Sequence, residues 1–494
     1  MSSESTDSTT QQSSDRLTTG VPGLDPIVHG GYVPARNYLI RGGPGVGKTL
    51  LGVHFLAAGL EVGDQPMFIS MGEIEADLRE NARSFGFDLT NVPILDLSPT
   101  PAAFEHDETS EDIFPPDEEG RSVTTQIAEE VLAVEPDRVV VDPLTLFRYL
   151  GVDESLLRRR LLSFLASLKA QEATVLFTSE HTQLVPDDDL QFMSDGAITL
   201  RAAAGNRTLE VTKFRKSNFQ SGTHSIRIDD DGMRVFAQLV PETQHVDVDF
   251  STEQLPSGVP ELDQLLHGGL ERGTTTILTG PSGVGKTTIG AQYLKEGASH
   301  GDRSVMYLFE EAKPTLLHRA KSIGLPLREM IEHGTLVVEE IDPQDISPEE
   351  FANRVRQGVE QEDTRLVMID GIDGYRTMFP HDRDTEAYER RLNPLTTYLQ
   401  RQGVTTILTS EVRDITGNFQ ATDHPVSYLG DNLVFLRYLE LDGELQKAIG
   451  VLKKRASDFE RTLRTFEITP HGLSVGEPLT GLQGILKGIP ESTD

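Results

Sequence analysis

The chain has 494 residues, 37% of them hydrophobic and 25% charged, which is enough for two or more domains with sizeable cores. It contains no cysteine, so disulfides, thiolate zinc sites and thiol catalysis are excluded, and no apolar run reaches the roughly 18 residues of a membrane-spanning helix. Seventy-eight acids against 45 bases leave a formal charge of −33, spread along the chain, which disfavours nucleic acid as a partner and reads as adaptation to a salt-rich cytoplasm.

In chain order, residues 1–16 form a polar Ser/Thr/Gln-rich tail, not a signal peptide, so the cytoplasm is the expected location. The segment Thr19-Gly20-Val21-Pro22-Gly23-Leu24-Asp25 and the triplet His29-Gly30-Gly31 precede a predicted strand, Tyr38-Leu39-Ile40. That strand feeds a glycine loop made of Gly42, Gly43, Pro44, Gly45, Val46, Gly47, Lys48 and Thr49, followed by a predicted helix from Leu50 to Leu60. A strand-like run from Pro93 to Leu97 leads into a stretch rich in proline and acids, Pro99 to Gly120, which reads as a surface loop before a helix starting near Ser122. Val139-Val140-Val141 and Val175-Leu176-Phe177 are continuous apolar runs, as strands covered on both faces require.

The periodic pattern breaks between Val240 and Leu255, where Pro241, Glu242, Asp247 and Asp249 fall, and then the chain repeats itself. Ser257-Gly258-Val259-Pro260-Glu261-Leu262-Asp263, His267-Gly268-Gly269 and a second glycine loop each stand 238 residues after their first copies. One offset shared by three segments identifies a tandem duplication. The second copy has its own predicted strands at Thr276-Ile277-Leu278, Val305 to Phe309, Leu366 to Ile369 and Thr406 to Leu408, with a helix from Thr288 to Glu296. Short β-rich runs alternating with longer amphipathic ones predict an α/β fold in which each repeat is a mostly parallel sheet with helices on both faces. The expected domains are residues 17–239 and 256–475, joined by a linker at 240–255 and followed by a C-terminal tail at 476–494.

Both glycine loops fit G-x-x-x-x-G-K-[ST] between a strand and a helix, the second comprising Gly280, Pro281, Ser282, Gly283, Val284, Gly285, Lys286 and Thr287. Backbone N–H groups of such loops surround the phosphates of ATP, and the helix N-terminus adds its positive end. Lys48 and Lys286 are placed to reach the β and γ phosphates, and Thr49 and Thr287 to ligate Mg²⁺. Asp142 and Asp370, each closing an apolar strand, are the expected carboxylates on that metal. After the strand ending at Phe309 comes the pair Glu310-Glu311, able to polarise an attacking hydroxyl or water. Glu73 lies 13 residues before Gly86, as Glu311 does before Gly324, so the first repeat has Gly72 where the second has Glu310.

The two P-loops, Phe309-Glu310-Glu311, the run Asn81-Ala82-Arg83-Ser84-Phe85-Gly86 and the paired Gly-x-x-x-Leu-Asp elements resemble KaiC, a family of two-domain RecA-superfamily ATPases and autokinases, over about residues 17–485. The acidity suggests its archaeal, halophilic branch. The resemblance implies two RecA-like domains assembled as a homohexamer with ATP between neighbouring subunits. It implies that Lys213 and Arg215, and likewise Lys453 and Arg455, reach a neighbour's γ-phosphate. It makes Glu310 the general base of the second domain beside Glu311, and Glu73 the water-orienting acid of the first. Aligned on Asp431, it makes Ser427 the candidate phosphoacceptor and puts Tyr428 where the family has threonine.

Only 12 of the 45 bases are lysine, yet Lys48, Lys286, Lys213 and Lys453 all stand at motif positions. Two other functions share this core fold: a RecA/RadA-like DNA-repair ATPase, and an ATP-switched scaffold without kinase activity. The first needs a basic DNA-binding loop, and the chain offers no basic run longer than three residues, as at Arg158-Arg159-Arg160. The tail, with the apolar run Leu482-Gln483-Gly484-Ile485-Leu486, is a candidate docking segment for a signalling partner.

Overall fold

The computed structural model describes residues 16–98, 123–149, 154–180, 187–203, 205–240, 253–379, 385–412, 428–441, 443–480, 482–483 and 491–492. The expected loop from Pro99 to Gly120 and the candidate acceptor Ser427 lie outside them. The chain divides into two compact units, Met1–Gln238 and Leu239–Asp494.

Each unit carries a nine-stranded sheet. The first is built from β1 (Asn37–Gly42), β2 (Pro66–Ser70), β3 (Ile94–Asp96), β4 (Arg138–Asp142), β5 (Thr174–Glu180), β6 (Gly196–Ala203), β7 (Asn206–Phe214), β8 (Thr223–Asp229) and β9 (Gly232–Phe236). Their order is β3-β2-β4-β5-β1-β6-β7-β8-β9, parallel as far as β6 and antiparallel beyond it. The second unit begins with an antiparallel pair, β10 (Gln254–Leu255) and β11 (Leu270–Glu271). Its sheet comprises β12 (Thr275–Gly280), β13 (Arg303–Leu308), β14 (Leu336–Glu340), β15 (Thr364–Asp370), β16 (Thr405–Glu411), β17 (Asn432–Leu441), β18 (Glu444–Lys454), β19 (Arg464–Thr469) and β20 (Gly472–Pro478). The order β14-β13-β15-β16-β12-β17-β18-β19-β20 repeats the first topology. The α/β architecture expected from the sequence is therefore present twice.

Side-chain alternation explains why the strands read as unbroken apolar runs. Ile40, Val140 and Leu176 face Leu51 and Phe55 of the helix Lys48–Val62. Leu39, Val139, Val141 and Phe177 point the other way, onto Ile127 and Val131 of the helix Val123–Val134 and Leu161 and Leu165 of Glu154–Ala170. The second unit splits in the same way, with Leu278, Met368 and Ile407 on one face and Ile277, Val367, Ile369 and Leu408 on the other.

Two boundaries differ from the sequence reading. β10 pairs with β11 ahead of the expected domain start at residue 256, and β20 continues to Pro478, past the expected end at 475. Within the C-terminal segment, Leu482–Gln483 pairs antiparallel with Glu491–Ser492. Among the described residues no helix is long and apolar enough to cross a membrane.

Candidate functional site

Parallel strands of an α/β sheet deliver their C-terminal ends to one edge, where ligand-binding loops gather. β1 ends at Gly42 and β12 at Gly280, each opening a glycine loop. Gly47 (φ 104°) and Gly285 (φ 123°) hold left-handed backbone immediately before the helices Lys48–Val62 and Lys286–Ser299, a conformation that a side chain resists. Lys48 Nζ donates to the carbonyls of Gly42 (3.0 Å) and Gly43 (2.8 Å), and Lys286 Nζ to those of Gly280 (2.7 Å) and Pro281 (2.9 Å). Burial lowers both lysine pKa values, against the opposing pull of Asp142 and Glu180 in the first unit and of Glu411, Asp370 and Glu310 in the second.

The two strand-end aspartates meet the loop threonines. Asp142 Oδ2 accepts from Thr49 Oγ1 at 2.5 Å, and its other oxygen accepts from Thr178. Asp370 accepts from Thr287 Oγ1 at 3.0 and 3.1 Å and from Thr409 Oγ1 at 2.8 Å. Burial raises the pKa of both carboxyls, and these hydroxyl bonds hold it back.

Strand register places the acids. Ser70 lies opposite Asp142 and Leu308 opposite Asp370. The next N–H groups, of Met71 and Phe309, donate to the carbonyls of those aspartates at 2.9 and 3.0 Å. Gly72 is thus the counterpart of Glu310, and Glu73 of Glu311. The Glu310 pKa is raised by burial and then by Asp373, Glu411 and Asp370, with Lys286 opposing. Glu311 is raised by burial but tied to Arg319 by a 2.8 Å ion pair. Glu73 is raised by burial and by Asp142, against a hydrogen bond from Asn81.

In the first unit these groups line one cavity of about 520 Å³ that holds Lys48, Thr49, Glu73, Asn81 and Asp142. Two further lining residues, Glu180 at the end of β5 and Arg207 at the start of β7, escaped the sequence reading. Lys447 in the second unit donates to the P-loop carbonyl of Gly283 at 3.4 Å. A signal for both cations was present: each stands six residues before the lysine of its Lys-x-Arg.

The Lys-x-Arg residues are not brought to their own P-loops. Lys213 pairs with Ala197, and Ala197 with Leu39, three residues short of Gly42. Lys453 pairs with Leu433, and Leu433 with Ile277, three residues short of Gly280. Their Nζ atoms donate to the carbonyls of Gln191 (2.7 Å) and Gly430 (2.6 Å). Arg215 and Arg455 are 60% and 53% exposed, within 3.8 Å of Asp195 and 3.5 Å of Asp431 respectively.

Comparison with known proteins follows the duplication. The family model described as "ATPase: KaiC" matches twice, at residues 17–240 and 255–480. The "Circadian clock oscillator protein KaiC" of Prochlorococcus marinus (strain MIT 9313) is 26% identical over 509 residues, covering 99% of this chain and 98% of the relative. The protein of that name from Synechococcus elongatus (strain ATCC 33912 / PCC 7942 / FACHB-805) is 26% identical over 503 residues, covering 96% and 92%. The "Circadian clock protein KaiC3" of Synechocystis sp. (strain ATCC 27184 / PCC 6803 / Kazusa) is 25% identical over 495 residues, covering 97% and 95%.

Proposed function

The chain belongs to the KaiC family of ATPases, and from that premise we propose that it is a cytoplasmic, ring-forming Mg-ATP hydrolase whose second unit also phosphorylates Ser427. The ring is a homohexamer with ATP between subunits, and it acts as a signalling device whose partner docks on the C-terminal tail.

The observation that carries the ring is the placement of the Lys-x-Arg cations. Three strand residues separate Lys213 from the level of Gly42, about 10 Å at ~3.3 Å per residue, with the ammonium turned to Gln191. Lys453 repeats the arrangement. Cations so placed serve a phosphate other than their own, and a neighbouring copy supplies one. Turnover then depends on assembly, because charge on the transferring phosphoryl is stabilised in trans.

Thr49 with Asp142, and Thr287 with Asp370, pair a hydroxyl and a carboxylate oxygen in hydrogen-bonding contact, hard donors that suit Mg²⁺. Bound there, the ion neutralises charge on the β and γ phosphates. The chain's own groups do the rest. The loop amides and Lys48 or Lys286 hold the phosphates, while in the second unit Glu310 takes the proton of the attacking water or hydroxyl, and in the first Glu73 orients the water. As that oxygen bonds to the γ-phosphorus, the bond to the bridging oxygen breaks and ADP leaves with the electron pair. Glu310's raised pKa makes it the better proton acceptor.

The test follows free phosphate and intact mass together, in Mg-ATP and high salt. Phosphate release is expected together with a gain of one phosphate mass, and that mass gain is expected to be absent in both Lys286→Ala and Ser427→Ala. Hydrolysis without mass gain sinks the kinase reading and leaves the ATPase.

A further inference from the structure

On the basis of the ring proposed above, we infer that Arg41 is a positioning residue of the first unit. It aims Lys213, the cation this subunit offers to a neighbour's phosphates, by anchoring the backbone on which that lysine rests.

The seat of Lys213 is the short helix Asp188–Met193. Carbonyls in the last turn of a helix lack intrahelical partners and attract cations. Lys213 Nζ takes two of them, donating to the carbonyls of Gln191 at 2.7 Å and Phe192 at 3.5 Å. The helix lies in a strap, residues 187–195, that β1 holds at both ends. At one end the Asp195 N–H donates to the Asn37 carbonyl at 2.7 Å, and the Asn37 N–H donates to the Asp195 carboxylate at 3.3 Å. At the other end the Arg41 guanidinium forks. One amine bonds the Asp187 carboxylate, and the other donates to the side-chain oxygen of Gln191 at 3.3 Å. Asp187 is fully buried, and its second oxygen accepts from Ser179 Oγ, on the adjacent strand β5, at 2.7 Å. A carboxylate so buried depends on its cation. Arg41 also immediately precedes Gly42, whose carbonyl receives Lys48 Nζ. One side chain thus joins the loop that holds this subunit's own phosphates to the seat of the cation meant for the next.

The second unit keeps one end of the strap and not this anchor. Asp431 repeats Asp195: its N–H donates to the Thr275 carbonyl at 2.8 Å, and its carboxylate accepts the Thr275 N–H at 3.0 Å. Register sets Thr279 opposite Ser410 as it sets Arg41 opposite Ser179. The Thr279 hydroxyl is buried with no hydrogen-bond partner among the described residues, and Lys453 rests on the Gly430 carbonyl. A planar fork reaches two acceptors at once, which neither threonine nor a lysine ammonium can do in the same way.

The test is subunit exchange in the full chain, with the second site silenced throughout by Glu310→Gln/Glu311→Gln. It reads ATP turnover and binding of a fluorescent ATP analogue. Arg41→Thr is expected to bind the analogue but to lose first-site turnover by about 10- to 100-fold, the scale of a misplaced group, and Arg41→Lys to recover little of it. Mixed with Lys48→Ala, Arg41→Thr is expected to regain turnover, because its own loop is sound and the partner supplies a well-aimed Lys213. Mixed with Lys213→Ala/Arg215→Ala it is expected to stay slow, because no subunit then offers one. Gln191→Leu, which cuts one arm of the fork without unpairing the buried Asp187, is expected to show the same pattern and decides the matter should Arg41→Thr fail to fold. Recovery in the second mixture but not the first assigns Arg41 to its own glycine loop and overturns the inference. Full turnover by Arg41→Thr overturns it too, as does recovery in both mixtures or in neither. If Lys48→Ala and Lys213→Ala/Arg215→Ala do not rescue one another, the ring reading itself falls, and a silenced parent without turnover removes hydrolysis from the first site.

Discussion

His54, on the first P-loop helix, is held by two backbone groups at once. Its Nδ1 meets the carbonyl of Gly20 at 2.9 Å, its Nε2 accepts from the Met233 N–H at 2.8 Å, and Phe87 packs edge-on with ring centroids 4.5 Å apart. Only the neutral ring with its proton on Nδ1 satisfies both bonds. Burial lowers its pKa below the ordinary 6.5, against the pull of the Gly20 carbonyl. The unfolded chain therefore takes up a proton below about pH 6.5 that the native state refuses, so stability is complete above that pH and declines as pH falls towards the native pKa. The decline approaches about 1.4 kcal/mol per pH unit. The second unit has Gln292 in this place, bonded to the carbonyl of Ser257 at 2.8 Å, so it lacks the titrating group. Urea unfolding at pH 5.5 and 7.5 should show the first unit losing stability on acidification, and His54→Gln should flatten that dependence. An unchanged pH slope in the variant removes His54 from the account.

At the scale of elements, the turn after β15 decides where Glu310 sits. Gly371 has φ 87°, a left-handed conformation that costs a non-glycine residue about 1–2 kcal/mol, and its missing Cβ is the space beside the Glu310 carboxyl. Gly371→Ala should destabilise the second unit by about that much. It should also lower second-site turnover while analogue binding at Lys286 persists. A variant with full turnover would show that Glu310 does not need this space. Much of this element was legible beforehand, because a glycine loop after an apolar strand and an aspartate closing another are local patterns. The alignment of Glu73 with Glu311 from spacing also agrees with strand register. The space that Gly371 leaves for Glu310 was not legible, since it joins residues some 60 positions apart through the register of two strands. Arg207 and Lys447 were hidden for a related reason: a cation on an antiparallel strand looks like a solvated edge until the pairing shows which end of the sheet it occupies. The antiparallel extension from β6 to β9 carries both Arg207 and the Lys-x-Arg of the first unit.

At the scale of the whole molecule, the proposed ring makes a mixing prediction. One variant lacks both loop lysines (Lys48→Ala/Lys286→Ala) and the other lacks the cations offered in trans (Lys213→Ala/Arg215→Ala/Lys453→Ala/Arg455→Ala). Each should be inactive alone. Mixed and allowed to exchange subunits in equal amounts, they should recover activity, because roughly one quarter of random head-to-tail contacts join an intact loop to an intact neighbour. No recovery under demonstrated exchange would exclude action in trans.

The strand β7 carries Arg207 beside its own nucleotide cavity and Lys213 six residues away, about 20 Å along an element that stretches very little. In the proposed ring, such strands would act as a train of stiff push-rods, each with its near tip on one fuel chamber and its far tip at the next. A displacement at one chamber would then be felt at the next, and by the reciprocity of linkage the next would be felt at the first. Each chamber of the proposed ring would be coupled to both of its neighbours although every subunit is identical, and a single slack rod would interrupt the relay at one identifiable joint.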